Sequence, residues 1–141
     1  MATYLFKTEP GEYSFDDLLR EKRCVWSGVS SPAALIHMRA VQKGDEILVY
    51  HTGNEKAVVG IAKALKDPYE DPESPGRTEA GLPKAAVVDL APVKRAPTPV
   101  TLATIKADAR FSKFPLVTQG RLSVMPVAPE LDKALRKMAG L

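Results

Sequence analysis

The stretch EILVYHTGNEKAVVGIAKAL, residues 46–65, constrains the fold of this chain more than any other. Two apolar runs rich in β-branched residues flank five polar turn residues, the pattern of an antiparallel hairpin. Gly60, inside the second run, predicts a bulge or a close approach by another group. Tyr50 and His51 end the first run at the hairpin rim, and the chain has only one other histidine, His37. Three roles are open for that rim: a catalytic site, a binding pocket or ordinary packing.

The flanking sequence supplies further strands separated by short helices. Residues 2–8, ATYLFKT, read as an opening strand. A helix follows at about Phe15–Glu21, with Ser14 as N-cap, Asp17 completing a capping box, and Tyr13 and Leu18 at the staple positions. RCVWSGVSS is a short apolar piece that breaks at Gly28. The next helix starts with Ser31 as cap and Pro32 at its first position. Leu35, Met38 and Val41 recur at helical spacing, and Gly44 is expected to end that helix after Lys43. Residues 67–84, with four prolines, two basic and five acidic residues and no periodicity, read as an exposed loop. AAVVDLAPVKRA resumes a strand in which Pro92 predicts a bulge or an edge. Thr101 caps a short helix, LATIKADA, and GRLSVMPV is a compact loop or strand. A last helix spans about Pro129–Met138, with Leu131, Ala134, Leu135 and Met138 on one face and Gly140 closing it. The expected architecture is a single α+β domain over residues 1–141, a small mixed β-barrel of about five to six strands with flanking short helices.

Composition narrows the function classes. At 141 residues, with 45% apolar and 26% charged side chains, the chain has the balance of a soluble globular protein. Its longest apolar stretches, such as Ile47–Tyr50 and Ala85–Val88, are far too short to cross a bilayer. No secretory signal is visible at MATYLFKTEP, and the single cysteine, Cys24, excludes an internal disulfide. Both features fit a cytoplasmic protein. The net charge of +3 is uneven: residues 85–141 hold nine basic and four acidic side chains. That excess permits contact with phosphates, and it reads equally well as a solvated surface.

Catalysis is poorly supported by residue types. Cys24 with His37 or His51 would make a Cys–His pair, yet Cys24 sits beside Val25 and Trp26 as small buried cysteines do. Two separated histidines without HxH or HExxH spacing are too few for a metal, and no glycine-rich phosphate loop is present, so neither metal nor cofactor is expected. Glu9 is a candidate acid–base without a partner carboxylate. A binding pocket uses these residues better. FKTEP ends a strand with a cation, a hydroxyl, a carboxylate and a turning proline, and VWSGV carries the only tryptophan beside a hydroxyl and a glycine. Aromatic faces beside donors and acceptors suit a flat heterocycle, held by stacking and identified by its edges.

YLFKTEPGEYSFDDL, VWSGV, GDEILVYHTGNEKAVVGIA and RLSVMPV together resemble an EVE domain, in the family's order and over nearly the whole chain. The family, many of whose members are small bacterial proteins, is similar in fold to PUA and YTH domains. The resemblance implies a PUA-like barrel that binds DNA or RNA carrying a modified base, with modified cytosines the leading candidates. It implies a pocket mouth at Lys7, Thr8, Glu9 and Pro10, and a stacking wall at Trp26 followed by Ser27, Val29 and Ser30. It further implies a lining strand end at Tyr50, His51 and Thr52 and a closing loop at Arg121, Leu122 and Ser123. Many relatives carry Arg-Asn where this chain has Ser30 and Ser31, which bears on a phosphate contact or on the base preferred. The expectation is a non-catalytic base reader. The rivals are an enzyme acting on a modified nucleotide through Glu9, His51 or Cys24, and an interaction module of a defence or RNA-modification system.

Overall fold

The computed structural model describes residues 1–141, and the hairpin lies at the centre of its sheet. The strands are β1 (Thr3–Thr8), β2 (Cys24–Trp26), β3 (Glu46–His51), β4 (Ala57–Ala64), β5 (Tyr69–Glu70), β6 (Ala86–Thr101) and β7 (Val124–Val127). Their order is β2-β6-β4-β3-β1-β7, with β5 paired to β6 off that path. β1 runs parallel to β3, because the segment between them, two helices on either side of the edge strand β2, returns the chain to the same end of the sheet. The remaining ladders are antiparallel. The sheet curls into a half-barrel, as the PUA-like expectation requires. All of its buried apolar side chains but one, Val87, join one contiguous cluster.

Five short helices cover the sheet: α1 (Phe15–Glu21), α2 (Pro32–Ala40), α3 (Leu102–Lys106), α4 (Pro115–Thr118) and α5 (Pro129–Ala139). None is long and apolar enough to cross a membrane. The capping box of α1 forms as expected. Ser14 Oγ accepts from the Asp17 N–H, and the Asp17 carboxylate accepts from the Ser14 N–H at 2.8 Å.

Local pattern misplaces several boundaries. α2 ends at Ala40 rather than running to Gly44, and Ser31 gives it no side-chain cap. The stop comes from Asp45, a buried carboxylate that accepts from the Gln42 N–H at 2.8 Å and the Ala2 N–H at 3.0 Å. It holds residues 41–45 as a turn, with Gly44 at φ +90° within it. The β6 strand continues well past Ala96, through Pro97 and Pro99, and absorbs its prolines as register shifts against β4, one of them around Pro92. The α3 helix is shorter than LATIKADA, and a 3₁₀ turn (Ala109–Phe111) and α4 follow it without any periodic sequence signal. Tertiary burial of Phe111, Phe114 and Leu116 shapes that region. Residues 67–84 are tied at both ends. Tyr69 Oη donates to Asp89 at 2.5 Å, and Arg39 donates to the carbonyls of Pro83 and Lys84.

The hairpin departs from regularity where Gly60 predicts it. Val49 pairs with Gly60 but Tyr50 pairs with Val58, so Val59 is an extra residue in β4. The same glycine also admits another group. A Cβ on Gly60 would stand 2.5 Å from the Phe15 ring, which is fully buried. Gly60→Ala is therefore expected to lower unfolding free energy by about 1–3 kcal/mol, the usual cost of overpacking. Urea denaturation of the variant against the parent checks this, and equal midpoints would show that the ring can move aside.

Candidate nucleic-acid interface

The C-terminal end of β1, the edge strand β2 with its following loop, and the turn before β7 surround a cavity of about 560 Å³. That volume lies within the roughly 300–1,000 Å³ of small-molecule sites. The β1–β7 ladder ends at Phe6 and Val124, so the chains separate there and open the rim. Lys7 then pins the turn twice. Its N–H donates to the Ser123 carbonyl at 2.9 Å, and Nζ donates to the Gly120 carbonyl at 2.9 Å. Burial pushes the Lys7 ammonium below its ordinary pKa. Arg121 stands in the pinned turn, exposed and outside every ion pair in the chain.

Trp26 forms the back wall. Its ring packs at 5.6 Å from the Phe6 ring and edge-on at 6.1 Å from the Tyr13 ring. Only 8% of the residue is exposed, so it shows the cavity a narrow strip rather than an open face. The loop after it brings Ser27, Ser30 and Ser31 to the lining, while Val29 packs against the core. Thr8 Oγ1 donates to the Tyr13 carbonyl at 2.7 Å and holds the opposite wall in place. Glu9 lines the rim but bends toward the hairpin turn, with Oε1 accepting from the Gly11 N–H at 3.0 Å and Oε2 lying 3.4 Å from Thr52 Oγ1.

Nine of the residues singled out by sequence thus meet at this cavity: Lys7, Thr8, Glu9, Trp26, Ser27, Val29, Ser30, Arg121 and Ser123. Pro10, Tyr50, His51, Thr52 and Leu122 lie outside its lining. Strand alternation explains the two aromatic members, because adjacent residues of β3 point to opposite faces. Tyr50 is buried beneath Lys7, whose Nζ lies 5.8 Å from the ring centroid. His51 points to α1 instead. Its Nε2 accepts from the Phe15 N–H at 3.0 Å and its Nδ1 meets Glu55 Oε1 at 2.6 Å, which sets the Nδ1–H tautomer. Expected as a pocket wall, His51 caps a helix N-terminus. Thr52 N–H donates to the Thr8 carbonyl, and Leu122 is buried in the core.

Glu12, Tyr13, Cys24 and Ser31 also line the cavity without a sequence signal that assigns them to a pocket, whereas Val25 and Gly28 come with the VWSGV motif around Trp26. Tyr13 was legible as a staple residue. Its contact with Trp26 and its 2.7 Å hydrogen bond from Oη to Glu21 depend on how α1 docks against β2. Burial pushes the Cys24 thiol up, outweighing the contact with Tyr13 that favours the thiolate, and no histidine lines the cavity beside it. The pairing that activates a cysteine nucleophile is missing. No three His, Cys, Asp or Glu side chains converge to hold a metal ion.

A family model for the EVE domain matches residues 2–138. This chain belongs to the EVE domain family. The EVE domain is 26% identical over 155 residues to human thymocyte nuclear protein 1, an alignment covering 90% of this chain and 69% of that protein. Among solved structures it matches a Rhodopseudomonas palustris protein at 37% identity and a TM-score of 0.88, over 99% of this chain and 94% of the other. It also matches the human THYN1 protein in complex with DNA containing 5-methylcytosine. That match has 25% identity and a TM-score of 0.85, over 98% of each chain.

Two outcomes are expected of the EVE domain's unusual side chains. His51→Ala leaves the Phe15 N–H without its acceptor and should cost about 1–3 kcal/mol of stability, read by thermal or urea melting. An unchanged melt would mean that water replaces the imidazole. With its pKa raised, Cys24 stays a neutral thiol at pH 7, so alkylation by iodoacetamide should be slow there and accelerate only in alkaline solution. Rapid labelling at pH 7 would contradict the burial argument.

Proposed function

We propose that this EVE domain is a non-catalytic reader that draws a modified base of DNA or RNA, a modified cytosine, into the cavity beside Trp26. The observation that carries the reading is the unspent polarity of the lining. The hydroxyls of Ser27, Ser30, Ser31 and Ser123, the Glu12 carboxylate and the Arg121 guanidinium all face the cavity without a partner in the protein. A flat heterocycle with donors and acceptors on its edge satisfies such groups, and a carboxylate accepts well from the exocyclic amino group of cytosine. The match to the human THYN1 protein, solved with 5-methylcytosine-containing DNA, supports the same ligand class.

In this reading Ser27 and Thr8 hydrogen-bond the base edge. Thr8 still has acceptor capacity, since its hydroxyl spends only its proton on Tyr13. Trp26 bounds the base along the strip of ring that it shows the cavity. Arg121 contacts the sugar–phosphate backbone, and Lys7 with Glu9 shapes the mouth. Extruding a base from a duplex costs a few kcal/mol, so single-stranded or mismatched contexts bind more tightly.

Fluorescence anisotropy with oligonucleotides bearing cytosine or modified cytosines tests the proposal. A modified base should be preferred. Ser27→Ala should weaken its binding by about 0.5–1.5 kcal/mol with little effect on the unmodified strand. Arg121→Ala should weaken both and lower the salt slope by about 1. Equal affinity of the parent for modified and unmodified strands overturns the reading, as does a changed oligonucleotide mass after incubation.

A further inference from the structure

Most of the chain's excess positive charge lies away from the base cavity. The 3₁₀ turn at Ala109–Phe111, the segment leading into α4, and α5 enclose two adjoining depressions that share Arg110 and Glu130. Lys133 and Lys137 stand one turn apart on α5, hence on the same helix face, and line one depression. Lys113 lines the other. The two arginines here are already committed. Arg110 pairs with Asp108 at 2.6 Å, and Arg136 with Asp132 at 2.7 Å and Glu46 at 3.0 Å. Lys113, Lys133 and Lys137 are exposed and take part in no ion pair, and Glu130 is the carboxylate that lines both depressions. The groove therefore presents three free ammonium groups and the committed Arg110 across two elements, opposed by one acid.

We infer that this groove holds the phosphodiester backbone of the same nucleic acid whose base enters the cavity, an inference that rests on the base-reading proposal. The strand β7 joins the two places. Ser123 is on the cavity rim and Ala128 on the groove, a separation of about 17 Å for extended chain. A stacked nucleic-acid strand advances about 3.4 Å per nucleotide, so the groove meets the backbone about five nucleotides from the bound base. Lysines suit this task. They act as mobile point charges that neutralise phosphates without reading sequence, whereas bidentate arginines favour specific geometry. The site thus divides into a polar cavity for one base and a remote cationic groove that sets affinity by strand length.

The test uses the full chain and single strands of about three and about fifteen nucleotides with a central 5-methylcytosine, plus an unmodified long strand. The variant K113Q/K133Q/K137Q should bind the short strand as the parent does. It should bind the long strand on the order of tenfold more weakly, with a salt slope lower by about 2. The triple Lys→Arg variant should keep parental binding, which separates charge from any effect on folding. Parental affinity and slope for the long strand in the triple Gln variant overturn the inference. So does an equal loss on the short strand. Poly-glutamate binding that needs the three lysines while the long strand does not would assign the groove to an acidic protein and also overturn it. Failure of base reading looks different: the parent then binds modified and unmodified long strands alike, and the lysine dependence persists on both.

Discussion

The docking of Phe15 onto the central hairpin holds the rest of the structure in place. Its ring fills the space that Gly60 leaves empty, and its N–H is satisfied by His51 Nε2. One residue thus locks helix α1 to the end of β3 and to the bulged region of β4. The constraint is steric on one side and polar on the other, and each depends on the identity of a single hairpin residue. A Cβ at position 60 would exclude the ring, and loss of the imidazole would leave a buried donor unpaired.

From that lock the cavity follows. With α1 fixed, the short segment 9–14 has one route from the end of β1, and Thr8 ties it down at the Tyr13 carbonyl. Tyr13 then meets Trp26 edge-on, and Trp26 is held from behind by Phe6. On the far rim, Lys7 grips the turn before β7 by its main chain and its side chain. The polar groups left over, chiefly serine hydroxyls and Arg121, belong to segments that the packing positions but does not use. Lys7, Thr8 and Glu9 of the lining are tied to the protein by their side chains, while the serine hydroxyls and Arg121 are not, so the cavity has a braced frame and free polar groups.

Much of this was legible locally. The hairpin, the capping box of α1, the proline start of α2 and the last amphipathic helix each carry their signal within a few residues, and all are present. Gly60 was legible as an anomaly, and both readings of it, bulge and close approach, hold together. The end of α2 was not legible. The Asp45 carboxylate, in the turn just before β3, terminates it by accepting from the Gln42 N–H. It also accepts from the Ala2 N–H, and no local rule reports that second partner, 43 residues away. The 3₁₀ turn and α4 are too short to show a period, and only their buried phenylalanines explain their shape.

For the site, the sequence by itself determined the inventory: a tryptophan followed by hydroxyl residues, a Lys-Thr-Glu-Pro strand end, an Arg-Leu-Ser turn, and a basic C-terminal third. The tertiary structure decided which of these face one another. Alternation along β3 sends Tyr50 and His51 to opposite faces, so neighbours in sequence have unrelated contacts, Tyr50 beneath Lys7 and His51 at the start of α1. Parallel pairing of β1 with β3 and the early end of the β1–β7 ladder bring Lys7 to the turn near Arg121, across more than a hundred residues of chain. Residue chemistry is written position by position. Facing is a property of strand phase and helix docking, and packing settles both only when the whole chain has closed.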